Sequence, residues 1–216
     1  MKTGYHRQIT HDALVNSVSH EALKVIIKSN CNQDRLGGQF GHPEFHFDDS
    51  AFIQGYKYID EQRRIVLSSL ANISNPITAW QAFGRLTHSA QDLYAHSNYV
   101  DLWLQKHDHL HWIDANAIDP IEQEILNNPH LRSGINYLPF DILTYFPGIG
   151  RYFRYFVPRN GHAWMNLDDP SRGERFKVAF IAAKKRTLIE FNHILKLFPE
   201  NQKGALTNLF TGRRIT

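Results

Sequence analysis

The chain has a single cysteine, Cys31, so no disulfide can close within it and a zinc site built on several thiolates is excluded. Long apolar runs are missing as well. A stretch such as Val178-Ala179-Phe180-Ile181-Ala182-Ala183 falls far short of the roughly 20 residues that span a bilayer. The first residues, MKTGYHRQIT, include a lysine but no apolar core of a signal peptide. The expectation is therefore a cytoplasmic protein, although leaderless export would leave the same pattern. Charge of one sign is scarce: 24 Lys+Arg against 21 Asp+Glu leaves +3, too little to argue for nucleic acid by itself. Internal repeats, low-complexity tracts and alternating strands with hairpin turns are also lacking. At 216 residues and 42% hydrophobic, the chain has enough apolar material for one domain, 1–216, and is not disordered throughout.

What the chain does have is histidine, 13 in all, the side chain most used for metal ligation and proton transfer near neutral pH. Apolar spacing near 3.6 predicts helices over about Ile9–Lys28, Ala51–Leu70, Asn75–Ala95 and Asp169–Phe198. Asn75-Pro76 and Asp169-Pro170 read as an N-cap followed by proline at the first helical position. A shorter helix is expected from Asp119-Pro120, with Glu122 placed for a capping box. The stretches 32–50 and 127–167 between these helices are long and irregular, which in a compact domain points to function or to a tether. With so many histidines, metal is the natural tether.

The third predicted helix carries His88-Ser-Ala-Gln-Asp92-Leu-Tyr-Ala-His96. Residues at i, i+4 and i+8 share one helix face, and imidazole, carboxylate, imidazole is a donor order that suits zinc. His6 stands near the start of the first helix, Asp34 and His46 bracket the first long stretch, and His162 closes the second. Singly, each reads as a loop histidine, a turn aspartate or a helix-start residue. Jointly, they sit where helices meet loops, positions that can converge at one end of a bundle. A second option for part of such a site is the tract Lys106-His107-Asp108-His109-Leu-His111-Trp112, where His107 and His111 are at i, i+4. His11, His20, His42, His130 and His193 have no partner pattern. The tract Arg151-Tyr-Phe-Arg154-Tyr-Phe-Val-Pro-Arg159 interleaves cations and aromatics, as a membrane-interface segment, a nucleic-acid groove or a loop packed on the bundle would.

In combination, these residues resemble the zinc-dependent phospholipase C and single-strand-specific nuclease superfamily, with spacing closest to its heterokaryon-incompatibility-type branch. The resemblance is carried by His6, Ile9 and Ala13; by Asp34 ahead of His46-Phe47-Asp48-Asp49; by His88, Asp92 and His96-Ser97-Asn98-Tyr99; and by His162 with Asn166 in an acid position. It implies an all-α, multi-helix domain whose long loops hold two or three zinc ions. It further implies one ion on Asp34, His46, His88 and Asp92. A second would sit on His96 and His162, completed by Asn166, Asp168 or water. A third would use His6 and Asp92, with a Met1 amine as a further donor. The activity implied is phosphodiester hydrolysis by a metal-activated water oriented by Asp34, most readily of phospholipid headgroups. Transient membrane-surface contact is the partner expected, and a nucleic-acid substrate is disfavoured by the small net charge. Substrate choice would fall to loop aromatics, among them Phe40, Phe45, Phe47, Tyr99, Trp103, Tyr145 and Trp164. A domain from another class, in which metals only staple loops, is the non-catalytic alternative.

Overall fold

A computed structural model describes residues 1–39, 41–70, 76–107, 113–144, 146, 148–198 and 210. The fold is all-α. Helices of eight residues or more are α1 (Thr3–Leu14), α2 (His20–Asn32), α3 (Phe52–Leu70), α4 (Ile77–His96), α5 (Tyr99–Lys106) and α6 (Glu174–Leu197). Among the described residues the only strand-like pairings are two isolated bridges, Ser97 with Ser133 and Ile135 with Gly161. Both tie the loop after position 130 to the end of α4 and to the His162 turn.

α4 is the axis of the bundle, with α2, α3 and α6 packed around it and α1 lying on α2 and α6. Every residue from Leu86 to Ser97 is buried, so this part of the helix has no solvent face on which its polar residues could be rationalised as surface. Its apolar side meets the core through Phe83, whose ring lies 5.9 Å from Phe191 and 6.2 Å from Phe210. α2 approaches α4 closely at Gly84, where a Cβ would collide with the carbonyl oxygen of Ile26 and the Cβ of Ser29.

Several boundaries differ from those the sequence predicts. The helix expected over Ile9–Lys28 is two helices. Ser19 interrupts it because its Oγ accepts from the backbone N–H of Ala22 at 3.1 Å and starts α2 afresh, a local competition that favours a cap over a continuous helix. The last helix begins at Glu174 rather than at Asp169-Pro170. Asp169 caps only the 3-10 turn Pro170–Arg172, accepting from Ser171 N–H at 2.9 Å, and Gly173 then takes φ 64° before α6 starts. The short helix near 120 spans Gln123–Leu126, and Glu122 makes no side-chain cap; its carboxylate instead accepts from Lys106 at 2.5 Å. Pro76 is at the N-cap of α4, while Asn75 lies outside the described residues. The irregular stretches contain short helical turns, of which Pro43–His46 and His162–Met165 each carry a candidate donor.

Candidate metal centre

α4 supplies the floor of the site, with His88 and Asp92 fully buried and His96 nearly so. Around them come His6 from α1, Asp34 from just beyond α2, His46 and Asp48 from the turns at 43–50, and His162 and Asp168 from the segment before α6. Donor atoms of His6, Asp34, His88 and Asp92 all lie within 4.8 Å of one another; so do those of His46, Asp92 and His96, and those of Asp48, His96 and His162. All seven residues expected to ligate are thus brought together, in a grouping that differs from the expected one. His6 joins Asp34 and His88, whereas His46 faces Asp92 and His96.

The segment that delivers His46 and Asp48 is strained. Phe47, Asp49 and Ser50 have φ between 55° and 57°, a left-handed conformation costing about 1–3 kcal/mol for a residue other than glycine. Neighbouring bonds hold it. Asp49 N–H donates to Gly134 O at 2.9 Å, Ser50 N–H donates to Ser133 Oγ at 2.8 Å, and Asp49 Oδ1 accepts from Asn136 N–H at 2.7 Å. Phe47 is fully buried against Gly55, where a Cβ would strike its ring.

His6, His46 and His96 are each oriented by a hydrogen bond on one ring nitrogen, as metal-bound histidines are. Gln91 Oε1 lies 2.6 Å from His6 Nδ1 and is itself held by Asn30 Nδ2. That bond turns His6 Nε2 toward Asp92 Oδ1, 3.1 Å away, where it is buried without an aligned hydrogen bond. His46 Nε2–H donates to Gly38 O at 3.2 Å, which leaves Nδ1 for the cluster, 2.9 Å from Asp92 Oδ2. His88 Nε2 lies 3.1 Å from both His46 Nδ1 and Asp92 Oδ2. His96 Nδ1–H donates to His46 O at 3.1 Å, directing Nε2 toward Asp92 and Asp168. The α-amine of Met1 lies in the same group, 2.5 Å from Asp92 Oδ1 and 3.2 Å from Asp168 Oδ1.

The electrostatics are those of a site gathered for cations. Burial pushes the Asp92 carboxyl up, but His96, the α-amine, His6 and His88 together hold it well below the usual range. Asp48 is likewise low, with His162 and His96 outweighing burial. Burial and the neighbouring His6 lower His88 to about 4, so its ring is neutral and fit to ligate at neutral pH. For His96, burial works downward, yet Asp92 and Asp48 prevail and raise it to about 10. In the absence of metal a proton on His96 occupies the place that a cation would take.

Some expectations do not survive. Asn166 Oδ1 accepts from Arg172 at 2.6 Å, which turns it away from the cluster. Asp168 is the closer completion, buried against His96 and the amine. His107 is remote from the donors: its ring stacks on Trp103 at 4.4 Å and its Nδ1–H donates to Trp103 O at 2.8 Å. His109 and His111 lie outside the described residues, as do Phe40 and Tyr145. Phe47, Tyr99 and Trp103 are core residues. Asp48 is the donor the sequence reading leaves out, although it stands two residues after His46 in the quoted motif.

Asp34, His46, Asp48, His96, His162 and Asp168 open onto a cleft of about 240 Å³, which Thr3, Asn136 and Asp141 also line. Asp34 Oδ2 accepts from Thr3 Oγ1 at 2.7 Å on its edge.

A family described as the VWA7 N-terminal domain matches residues 7–124, a span that includes Asp34, His46, His88, Asp92 and His96. The von Willebrand factor A domain-containing protein 7 of Rattus norvegicus is 34% identical over 92 residues, 42% of this chain and 10% of the rat protein. Its Homo sapiens counterpart is 30% identical over 169 residues, 70% of this chain and 18% of the human protein. The chain thus spans less than a fifth of the length of these relatives. No solved structure matches it.

These matches overturn the resemblance to the phospholipase C and nuclease superfamily, and with it phospholipid or other phosphodiester hydrolysis. The physical reason lies in what the motif encodes. Imidazoles and carboxylates at helix–loop junctions specify a donor set, which unrelated families and reactions share. The role of Asp34 in orienting a water rested on that resemblance and falls with it. Its place beside His88 rests on geometry.

Proposed function

The chain belongs to the VWA7 N-terminal domain family, and from that premise and the donor cluster we propose that it is a metal-binding module stapled by divalent ions. The observation that carries this reading is the gathering of donors from five separate segments into three groups, two of which share Asp92, with their atoms within 4.8 Å in each group. Without a cation such a cluster is costly, since buried carboxylates need compensation and aligned partners. His6 Nε2, His88 Nδ1 and Asp168 Oδ1 are buried without hydrogen bonds.

Nitrogen and carboxylate oxygen with no thiolate suit zinc. One ion would be held by His6, Asp34, His88 and Asp92. A neutral imidazole offers one lone pair, so His96 serves either the group with His46 and Asp92 or the group with Asp48 and His162. With its Nδ1–H on His46 O, the group with His46 and Asp92 is favoured. Asp92, with two oxygens, belongs to both groups and would serve in holding each ion. Zinc, when bound, supplies concentrated positive charge, and these donors would tie α1, the residues just beyond α2 and the turns at 43–50 onto α4. Gln91, Asn30 and the carbonyls of Gly38 and His46 fix the ring orientations.

The test is thermal unfolding of the full chain with and without a chelator. Free ligand at about a thousand times its Kd stabilises by roughly 4 kcal/mol, so chelation lowers Tm on the order of 10 °C for a chain of this size. Asp92→Asn should abolish most of the difference between the two melts. Identical melting with and without chelator for the wild type would defeat the reading.

A further inference from the structure

The cation–aromatic tract singled out in the sequence folds into a groove of about 730 Å³ distinct from the metal donors, lined by Arg132, Arg154, Arg159, Arg172, Arg175 and Trp164. Trp164 is fixed by its Nε1–H, which donates to Val157 O at 2.8 Å. The guanidinium carbons of Arg154 and Arg159 lie over its ring, 3.9 and 3.8 Å from the centroid, so one indole holds two cations in place. Arg172 is fixed separately, donating to Ala163 O at 3.0 Å and to Asn166 Oδ1 at 2.6 Å.

Among the described residues, Arg175 is the only one of these five arginines with an ion-paired carboxylate, Asp101 at 2.5 Å. The Nε–H of Arg154 is buried without a partner. Burial, then Arg172 and Arg159, depress the Arg154 guanidinium below its ordinary value, the mark of cations crowded without compensation. A folded chain that only needed to pack Trp164 would gain little from two guanidiniums without a carboxylate partner on its ring. An oxyanion with several acceptor atoms would relieve the repulsion and satisfy the open donors, because the planar guanidinium fork matches phosphate and sulfate oxygens.

The geometry points to this groove as a binding site for a tetrahedral oxyanion, a phosphate or sulfate group, held by Arg154, Arg159 and Arg172. Tyr152, Tyr155 and Phe156, exposed beside it at 55%, 76% and 68%, would suit a group presented on a lipid surface as well as a soluble one. None of the candidate metal donors takes part, so the site stands or falls independently of the metal reading.

The experiment titrates the isotopically labelled full chain with inorganic sulfate against chloride at matched ionic strength, following the arginine Nε–H signals. Saturable shifts are expected at Arg154, Arg159 and Arg172. Affinity should fall about tenfold or more in the Arg154→Gln/Arg159→Gln variant, and also fall in Arg154→Lys, which keeps the charge but loses the fork. Lys184→Gln, an exposed charge control outside the groove, should bind as wild type does. Vesicles of phosphatidylcholine with phosphatidic acid separate the sources: binding displaced by sulfate identifies a lipid headgroup, and sulfate binding without vesicle binding identifies a soluble oxyanion. Shifts no larger with sulfate than with chloride, or equal affinity in Arg154→Lys and wild type, would overturn the site.

Discussion

Two buried acids of this chain are stabilised in different ways. Asp92 is surrounded by imidazoles and an amine, a set that fits a metal better than a proton. Glu190 is neutralised by arginines: Arg186 Nε donates to its Oε1 at 2.8 Å and Arg63 donates to its Oε2 at 2.8 Å. Burial would raise the Glu190 carboxyl, but Arg186 and Arg63 hold it below its ordinary 4.5. Its pairs therefore contribute fully above about pH 4.5 and are lost as pH falls through the lower folded value. Urea midpoints measured from pH 6 downward should drop more steeply below about 4.5 for wild type than for Glu190→Gln, and parallel profiles would contradict this. Of the two acids, sequence reading finds Asp92, since its neighbours His88 and His96 stand at helical spacing. Glu190 is left out although Arg186 stands four residues before it, because the second arginine that makes it a buried pair, Arg63, is 127 positions away. Asp48 escapes for another reason: a second acid beside His46 reads as turn chemistry until the left-handed backbone turns it inward.

At the scale of elements, α3 and α4 are legible almost to their ends because their apolar spacing is unbroken. The split between α1 and α2 is not, since Val15 and Val18 continue the periodicity while Ser19 quietly caps a new helix. The close approach of α2 to α4 is invisible in sequence, where Gly84 reads as a weak point in a helix. In the structure it is the contact that lets Ile26 and Ser29 reach the α4 backbone. Gly84→Ala, favourable for an isolated helix, should instead destabilise the protein by about 1–3 kcal/mol through overpacking. Denaturant midpoints check the sign. A gain in stability would show that the two helices are farther apart than described, and would loosen the placement of His88 one turn along.

On the scale of the whole molecule, the all-α class follows from the periodicity, and the convergence of donors follows from their positions at helix–loop junctions. Family and reaction do not follow, because a donor set constrains what is bound and leaves open what is done with it. Among the described residues no helix is long and apolar enough to cross a membrane. The chain covers 10–18% of the relatives it matches, so what this domain contributes there is a question of how its donor cluster and its arginine groove are used. Both features draw on the segment 132–172: His162 and Asp168 face the donor cluster, and Arg172, bonded to Ala163 O and Asn166 Oδ1, lines the groove.

Whether the buried histidines and aspartates hold metal is decided by elemental analysis of the full chain purified without chelator. About two zinc ions per chain are expected, falling by at least one in His88→Ala. A wild-type content near zero, in protein that is folded and remains so after exposure to zinc, would contradict metal binding by this cluster.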